Sequence, residues 1–276
     1  MDIPELIRKT ALRRGLSPRT IKTYRECVKR FFRACDKNPK NVNKKDIQDF
    51  LDRLIEKDAP GNTINVYLNA LKFFYNEILN KRLMIRIRFS KTPRKIAEFM
   101  TREETIRLIE AIENPAHQLM VKLMYSAGLR VSELVNLKPK NFEFDNNYGW
   151  VRNGKGSKDR LFIIAKFLKQ ELTEHIEKEC SYPDSWLFKG RKGHISVRSI
   201  QKIVEKANKK AHINKNIHPH TLRHTFATHL ISNKYDITSV QSLLGHSRIE
   251  TTFDYVHIAS PRMIYVSSPF DSLYKK

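Results

Sequence analysis

A short polar stretch, AGLRVSEL (residues 127–134), interrupts two apolar segments of the sequence. Gly128 is suited to ending a helix there, and Ser132 is suited to capping the next one. Arg130 is then left near a helix N-terminus, where free amides and the helix dipole favour anions. We expect Glu133 to pair with Arg130 and to fix its guanidinium. The alternative is a purely structural Arg–Glu pair that ties two helices together.

A second candidate site is the lysine flanked by glycines in GKGSKDR (residues 154–160). Glycines on both sides of Lys155 allow a close approach to phosphate, and a lysine at a hairpin tip can donate a proton to a leaving oxygen. Lys158 lies in the same turn and competes with Lys155 for this role. Arg160, at the start of the next strand, is expected to contact phosphate or to lie at a solvated edge. A solvated basic turn is the structural alternative.

The stretch HPHTLRH (residues 218–224) places two polar side chains on one helical face, because His220 and Arg223 are three residues apart. His220 and His224 have a spacing that metal ligands use. However, the glutamate of the HExxH zinc motif is missing and Arg223 would repel a dication. We therefore predict that no metal binds here.

Two further stretches each hold one candidate. His246 follows LLG, which predicts the end of a buried helix, and Tyr255 lies in TTFDYVH on a short helix that Ser247 and Glu250 would cap. Taken singly, such a histidine is usually satisfied by its surroundings and such a tyrosine is usually half-buried packing.

The five stretches, in this order, resemble the signature of tyrosine recombinases, the family of Xer-type recombinases and phage integrases. The match comprises GLRVSEL, a GKG turn, an HxLRH box, LLGH and TTxxY, with Tyr255 nine residues after His246. It extends over nearly the whole chain and is strongest for Xer-type enzymes. The ending SSPFDSL resembles that of archaeal members.

The resemblance implies a site-specific recombinase that cuts and rejoins DNA through a 3′-phosphotyrosyl intermediate, without ATP, metal or other cofactor. It implies Tyr255 as the nucleophile, Lys155 as general acid on the departing 5′-oxygen, and His220 as a base or hydrogen-bond partner. Four residues would support the reaction around the phosphate: Arg130 and Arg223 on the non-bridging oxygens, His246 on the phosphate, and Glu133 behind Arg130.

The charge of the chain predicts a polyanionic partner. Lys and Arg number 52 against 29 Asp and Glu, a net charge of +23, and each phosphate that a cation neutralises releases condensed counterions. Residues 1–97 hold 24 basic and 10 acidic residues. We therefore predict double-stranded DNA as the partner, with an acidic membrane surface as the alternative. The sequence has no signal-peptide core, no spanning segment and no CxxC pair, which predicts a cytoplasmic protein.

The elements that must position these residues are predicted to be mostly helical, in an α+β fold. We predict a helical core-binding domain over residues 1–88, a basic linker over 89–97, and a catalytic domain over 98–276 with a small antiparallel sheet. Three helices are predicted in the first domain. One begins at Ser17-Pro18, one covers residues 46–55, and one follows Pro60. On the helix that begins at Ser17-Pro18, four cations expected to be exposed are candidate phosphate contacts: Arg19, Lys22, Arg25 and Lys29.

In the second domain, Thr101 and Glu104 predict a capping box, and Tyr148–Arg152 with Arg160–Ile164 predict a β-hairpin. The apolar spacing predicts further helices over 166–180, 196–211, 220–232, 237–244 and 247–256.

The family also implies a DNA-bound tetramer, predicted to be a homo-tetramer, that is held through the C-terminal tail. The apolar tail residues that suggest docking on a neighbour are Ile264, Val266, Phe270 and Leu273. An accessory translocase that controls strand exchange is a further candidate partner. Xer-like resolution of chromosome or plasmid dimers is the predicted role, and integration or excision of a mobile element is the alternative. Other classes are a non-catalytic architectural DNA-binding protein and a metal-dependent nuclease that uses His220 and His224.

Overall fold

The computed structural model describes residues 2–81, 98–152, 159–191, 193–233, 235–244 and 268–273. The chain divides into two compact units, residues 1–95 and 96–276, and each has its own apolar core. None of the described helices combines the length and apolarity needed to cross a membrane.

The first unit, where it is described, is built from helices. These are α1 (Ile3–Arg13), α2 (Pro18–Cys35), α3 (Lys44–Glu56) and α4 (Gly61–Phe73), with a 3₁₀ turn at Pro39–Asn41 and a π-helical turn at Phe74–Ile78. Ser17 caps α2 by accepting a hydrogen bond from the amide of Thr20, as the sequence predicts. The helix predicted over 46–55 begins two residues earlier, because Asn43 and Asp46 form a capping box.

Aromatic side chains fill the core of the first unit. Phe31, Phe74 and Tyr75 are fully buried, and Phe31 meets Phe50 edge-on with ring centroids 5.2 Å apart. The aromatic side chains of α2 and of the π-helical turn therefore serve packing. The opposite face of α2 is exposed and carries the four predicted phosphate contacts: Arg19, Lys22, Arg25 and Lys29.

The second unit combines helices with a three-stranded antiparallel sheet of order β1-β2-β3. The strands are β1 (Phe142–Glu143), β2 (Tyr148–Val151) and β3 (Arg160–Ile163), and Val151 is paired with Arg160. The predicted hairpin is confirmed, whereas β1 was not expected. A second, two-stranded sheet joins β4 (Lys189–Gly190) to β5 (Gly193–His194), which the sequence pattern also did not predict.

The helices described in the second unit are α5 (Arg102–Glu110), α6 (Pro115–Ser126), α7 (Val131–Leu134), α8 (Lys169–Glu179), α9 (Val197–Lys210), α10 (Pro219–Ser232), α11 (Ile237–Leu244) and α12 (Pro269–Leu273). The capping box of Thr101 and Glu104 on α5 is confirmed. The helix predicted over 166–180 begins as a 3₁₀ turn, Lys166–Leu168. The helix predicted over 247–256 lies outside the described residues. The fold is therefore mostly helical with small antiparallel sheets, as predicted.

α6 lies in the core of the second unit and packs against α10. Its buried residues include Leu123, Met124 and Tyr125, and α10 contributes Leu222 and Phe226 to the same core. These two helices therefore give a rigid base to the connection that leaves α6 and to the polar side chains of α10.

Candidate active site

Arg130, the first catalytic candidate, lies in the connection between α6 and α7. Gly128 has a φ of 57°, a left-handed conformation that ends the preceding helix, as predicted. A Cβ atom at this position would lie 2.5 Å from the ring of Phe226, so a side chain fits only if that ring moves. The prediction that Ser132 caps the next helix is wrong, because α7 begins at Val131 and Arg130 itself is the cap residue.

The carboxylate of Glu133 lies at the centre of three guanidinium groups. Its Oε1 accepts a hydrogen bond from Nη1 of Arg130 at 2.6 Å, and its Oε2 accepts one from the amide of Arg130 at 2.8 Å. Nη2 of Arg160 donates to Oε2 at 2.6 Å, and Nη1 of Arg223 lies 3.9 Å from the same oxygen. Glu133 is 5% exposed. The expected pairing of Arg130 with Glu133 is present, within a larger cluster than the sequence suggested.

Burial on its own would raise the pKa of Glu133. The positive charge of Arg160 and the hydrogen bonds from Arg160 and Arg130 outweigh that effect and lower the pKa to about 2. The carboxylate is therefore ionised at neutral pH. With three guanidinium groups around one carboxylate, the cluster carries a net charge of +2. Such fixed positive charge stabilises a phosphate whose negative charge grows during reaction.

Arg160 does not lie where the sequence interpretation placed it. It begins β3, is 8% exposed, and directs its guanidinium into the protein. Besides Glu133, it donates to the carbonyl oxygen of Leu243 at 2.7 Å. The expectation of a phosphate contact or a solvated edge residue is therefore corrected. The sequence held one signal of this burial, because Arg160 opens the apolar run LFII, whose residues are buried.

Arg223, on α10, is the third arginine of the cluster. Its Nη1 donates to the carbonyl oxygen of Gly128 at 2.5 Å, and its Nη2 donates to the carbonyl oxygen of Leu244. Burial of the guanidinium, together with the charges of Arg160 and Arg130, lowers its pKa to about 9. The group remains a cation at neutral pH, and it holds the connection after α6 against the end of α11.

His220 lies one turn before Arg223 on α10, and its side chain is exposed. Partial desolvation of the ring lowers its pKa, and the nearby charged groups lower it further. The ring is therefore neutral at pH 7 and suited to accepting a proton. Within the described residues, no three His, Cys, Asp or Glu side chains are grouped as a metal site requires.

A buried hydrogen-bonded pair, Tyr125 on α6 and His229 on α10, holds α10 in place. The sequence did not predict this pair. The hydroxyl of Tyr125 lies 2.8 Å from Nδ1 of His229, and Nε2 of His229 lies 3.0 Å from the carbonyl oxygen of Met100. Because a carbonyl only accepts, Nε2 carries the proton and Nδ1 accepts from Tyr125. Thr225 adds a bond to the amide of Met100. A histidine within an apolar helical face was the only sequence signal of this arrangement.

The described end of the chain packs on its own unit. Ser268 donates to the carbonyl oxygen of Ser126 at 2.7 Å, and Phe270 is 2% exposed beside Tyr125. The carboxylate of Asp271 accepts from the amides of Lys166 and Phe167, each at 3.3 Å. These residues therefore pack within their own chain, and docking of the tail on a neighbouring protomer stays a prediction.

Four of the predicted site residues lie outside the described residues: Lys155, Lys158, His246 and Tyr255. The structure brings together Arg130, Glu133 and Arg223, with His220 one turn away on α10. The described elements β3 and α11 are both bound to this cluster through Arg160 and Arg223.

Two family models match the chain. The model described as "Phage integrase family" matches residues 98–262, more than half of the chain, and the model described as "Phage integrase, N-terminal SAM-like domain" matches residues 5–85. The chain belongs to the phage integrase family. It is an Xer-like tyrosine recombinase, an enzyme of site-specific DNA recombination.

Two curated relatives cover most of this recombinase. A tyrosine recombinase of Thermosipho africanus is 36% identical, across 88% of this chain and 90% of its own length. The tyrosine recombinase XerA of Thermococcus kodakarensis is 34% identical, across 88% and 86%. Among solved structures, the XerH site-specific recombinase bound to palindromic difH substrate, in a post-cleavage complex, matches with a TM-score of 0.68 and 24% identity. That alignment covers 91% of this recombinase and 79% of XerH, and it shows a shared fold.

Proposed function

We propose that this recombinase breaks and rejoins DNA through Tyr255. The phenolate attacks the scissile phosphorus, the bond to the 5′-oxygen breaks, and a 3′-phosphotyrosyl link and a 5′-hydroxyl result. The link conserves the energy of the phosphodiester, so a second 5′-hydroxyl reverses the step without ATP, metal or cofactor.

The observation that supports this proposal is the convergence of Arg130 and Arg223 on one carboxylate, with net positive charge left over. Arg130 has the most exposed side chain of the cluster, at 17%, against 5% for Arg223. We propose that Arg130 contacts a non-bridging oxygen directly. Arg223 is proposed to act on the non-bridging oxygens as well, and its bond to Gly128 holds the loop in place.

The remaining roles complete the proton transfers. Lys155 protonates the departing 5′-oxygen, with Lys158 as the alternative donor in the same turn. His220 accepts a proton or a hydrogen bond near Tyr255, which suits its neutral state, and His246 binds the phosphate. A phenol has a pKa near 10 when unperturbed. Cationic neighbours favour its phenolate form.

Double-stranded DNA is the proposed partner, gripped by the domain of residues 1–88 and joined through the linker 89–97 to the catalytic domain, 98–276. The exposed cations of α2 support this arrangement, because a row of such side chains follows a phosphate backbone. The XerH site-specific recombinase, which shares this fold, was solved bound to palindromic difH substrate, which supports DNA as the partner. We propose resolution of chromosome or plasmid dimers in the cytoplasm, and integration of a mobile element is the alternative within the same chemistry.

We also propose a tetramer on paired DNA sites, assembled through the C-terminal tail, with an accessory translocase as regulator. Docking of residues 268–273 on a neighbour requires release of the bonds that Ser268 and Asp271 make within their own chain.

The experiment that tests the proposal uses a nicked suicide DNA substrate that traps the covalent intermediate. The wild-type protein is expected to form a protein–DNA adduct in the presence of a chelator, and Tyr255→Phe is expected to form none. An adduct with Tyr255→Phe would contradict the assignment of the nucleophile. Cleavage that a chelator stops and that leaves no adduct would favour a metal-dependent nuclease, and specific binding without cleavage would favour an architectural protein.

A further inference from the structure

Arg160 makes more contacts within the cluster than a strand residue needs for packing. Its guanidinium donates to both oxygens of Glu133, at 2.6 and 3.4 Å, and to the carbonyl oxygen of Leu243 at 2.7 Å. It also reaches the carbonyl oxygen of Gly128 at 3.5 Å. One side chain therefore links β3 to the connection after α6 and to the end of α11. Arg160 is 8% exposed, and each of its three guanidinium nitrogens donates to a group within the protein.

The last carbonyls of a helix lack partners within the helix. At the end of α11, Arg160 binds the carbonyl of Leu243 and Arg223 binds that of Leu244. These bonds orient the planes of both guanidinium groups relative to Glu133. The cluster is thus assembled by long-range contacts of fixed geometry, as expected of a preorganised electrostatic site.

Charge counting shows what Arg160 contributes. With Arg160 present, the carboxylate of Glu133 is shared by Arg160 and Arg130, and the cluster has a net charge of +2. Without it, the carboxylate would be balanced mainly by Arg130, the group that is most exposed to a phosphate. Arg130 would then form a nearly neutral pair with Glu133, and the net charge would fall to +1.

We infer that Arg160 is a positioning residue that takes up the charge of Glu133 and so leaves the positive charge of Arg130 to the scissile phosphate. This inference rests on the proposed function, in which Arg130 contacts a non-bridging oxygen. Arg160 acts through Arg130 and does not touch DNA.

The test compares Arg160→Met, Glu133→Gln and the double variant for the rate of adduct formation on the nicked suicide substrate. Arg160→Met is expected to slow the reaction about 10- to 100-fold, which is less than the roughly 100- to 1,000-fold loss on removal of a donor that contacts the transition state directly, because Arg160 acts through Arg130. The double variant has the net charge of the wild type, since one cation and one anion are removed together. It is expected to react at least about tenfold faster than Arg160→Met, a coupling that independent sites do not show.

A second readout separates positioning from mere support of the fold. A methylphosphonate at the scissile position removes one non-bridging charge, so the reaction depends less on Arg130. The loss of adduct-formation rate that Arg160→Met causes, relative to the wild type, is expected to be smaller on that substrate. A matched control is the partly buried pair of Lys122 and Glu171, whose atoms are 2.9 Å apart in the same unit. Lys122→Met, alone or with Glu171→Gln, is expected to leave the rate of adduct formation unchanged on both the ordinary and the methylphosphonate substrate.

If Arg160→Met does not fold by circular dichroism, Arg160→Lys replaces it, because lysine keeps the charge and loses the planar fork. A folded Arg160→Lys variant is expected to form the adduct at a rate within about tenfold of the wild-type rate. A lysine variant that is more than about 100-fold slower would overturn the inference, as would a double variant no faster than Arg160→Met. A wild type without a Tyr255-dependent adduct would overturn the proposed function and the inference with it. A Tyr255-dependent adduct that Arg160→Met forms at the wild-type rate would overturn the inference alone.

Discussion

Nη1 of Arg223 donates to the carbonyl oxygen of Gly128 at 2.5 Å, although the two residues are 95 positions apart in the chain. The bond connects a helix of the core to the loop that presents Arg130. Since a guanidinium is planar and its donors are fixed in direction, the bond constrains the loop as well as the arginine. The conformation of this loop is therefore a condition for the charge cluster.

The first prediction concerns the loop glycine. Gly128→Ala is expected to destabilise the protein by about 2–5 kcal/mol, the sum of a left-handed backbone cost and forced repacking. The added Cβ would meet the ring of Phe226 at 2.5 Å. Denaturant unfolding followed by circular dichroism measures the change, and the adduct rate is expected to fall with it.

Gly15→Ala is the matched control for this prediction. Gly15 has a φ of 66°, and a Cβ there would meet no heavy atom within 4 Å. Only the backbone cost, about 1–2 kcal/mol, is expected at this position. Equal losses in the two variants would show that the contact with Phe226 is relieved at little cost.

The second prediction concerns acid stability. The pKa of Glu133 is lowered from 4.5 to about 2 in the folded protein. A carboxyl group with a lowered folded pKa contributes stability that is complete above its unfolded value. That stability is lost as pH falls from about 4.5 towards 2, here about 3 kcal/mol at 1.36 kcal/mol for each pKa unit. Glu133→Gln is expected to lose stability at pH 7 and to show a smaller further loss over this acid range.

Glu205→Gln is the control for the acid range. The Lys209 ammonium lowers the pKa of Glu205 on the exposed face of α9. Because that pair is solvated, its removal is expected to leave the pH profile of unfolding close to the wild type. A Glu133→Gln profile that also follows the wild type between pH 5 and about 2 would contradict the prediction.

The third prediction concerns the support of α10. Tyr125→Phe removes the hydroxyl that donates to Nδ1 of His229 and leaves a buried acceptor unsatisfied. The expected loss of stability is about 1–3 kcal/mol. Tyr182→Phe, at a side chain that is 73% exposed, is expected to change stability by less than about 0.5 kcal/mol. Thermal unfolding of both variants measures the difference, and a neutral Tyr125→Phe would show that water replaces the missing donor.

The fourth prediction concerns the grip on DNA. Binding is expected to weaken steeply as salt rises, because neutralised phosphates release counterions. Neutralising the four exposed cations of α2 is expected to reduce the slope of log affinity against log salt by about 0.9 for each phosphate that the protein no longer neutralises. Fluorescence anisotropy over a range of salt concentrations measures the slope. The four substitutions are Arg19→Gln, Lys22→Gln, Arg25→Gln and Lys29→Gln.

A set of four exposed cations on or beside α3 provides the control, with the same change in net charge: Lys44, Lys45, Arg53 and Lys57. If DNA is bound along α2, this set is expected to change the slope less. An equal change in both sets would show that the charge of the unit matters and its placement on α2 does not.

Local signals in the sequence were enough to predict most helices, the hairpin of β2 and β3, and the capping box of Thr101. Each depends on residues a few positions apart, so spacing alone reveals it. Pairing of Arg130 with Glu133 was also local. The three-arginine cluster was not, because the contact of Arg160 with Leu243 joins positions 83 residues apart. Patterns of spacing hold no information on such a contact.

The strands β4 and β5 were missed for a different reason. Each has two residues, and both include glycine, so neither shows the alternation that predicts a strand. The bond of Tyr125 to His229 was missed because a histidine in an apolar helix fits packing equally well. Tertiary partners decide such cases.

Because Glu133 shares its carboxylate with Arg160, the substitutions tolerated at these two positions during evolution depend on each other. A descendant that replaces Arg160 by a neutral residue keeps a buried anion with one partner fewer, and a descendant that first replaces Glu133 leaves buried cations to repel one another. Each single step is costly, whereas the paired exchange restores the balance of charge. Positions 133 and 160 are therefore expected to change together across lineages, and Arg160 to persist wherever an acidic residue persists at position 133.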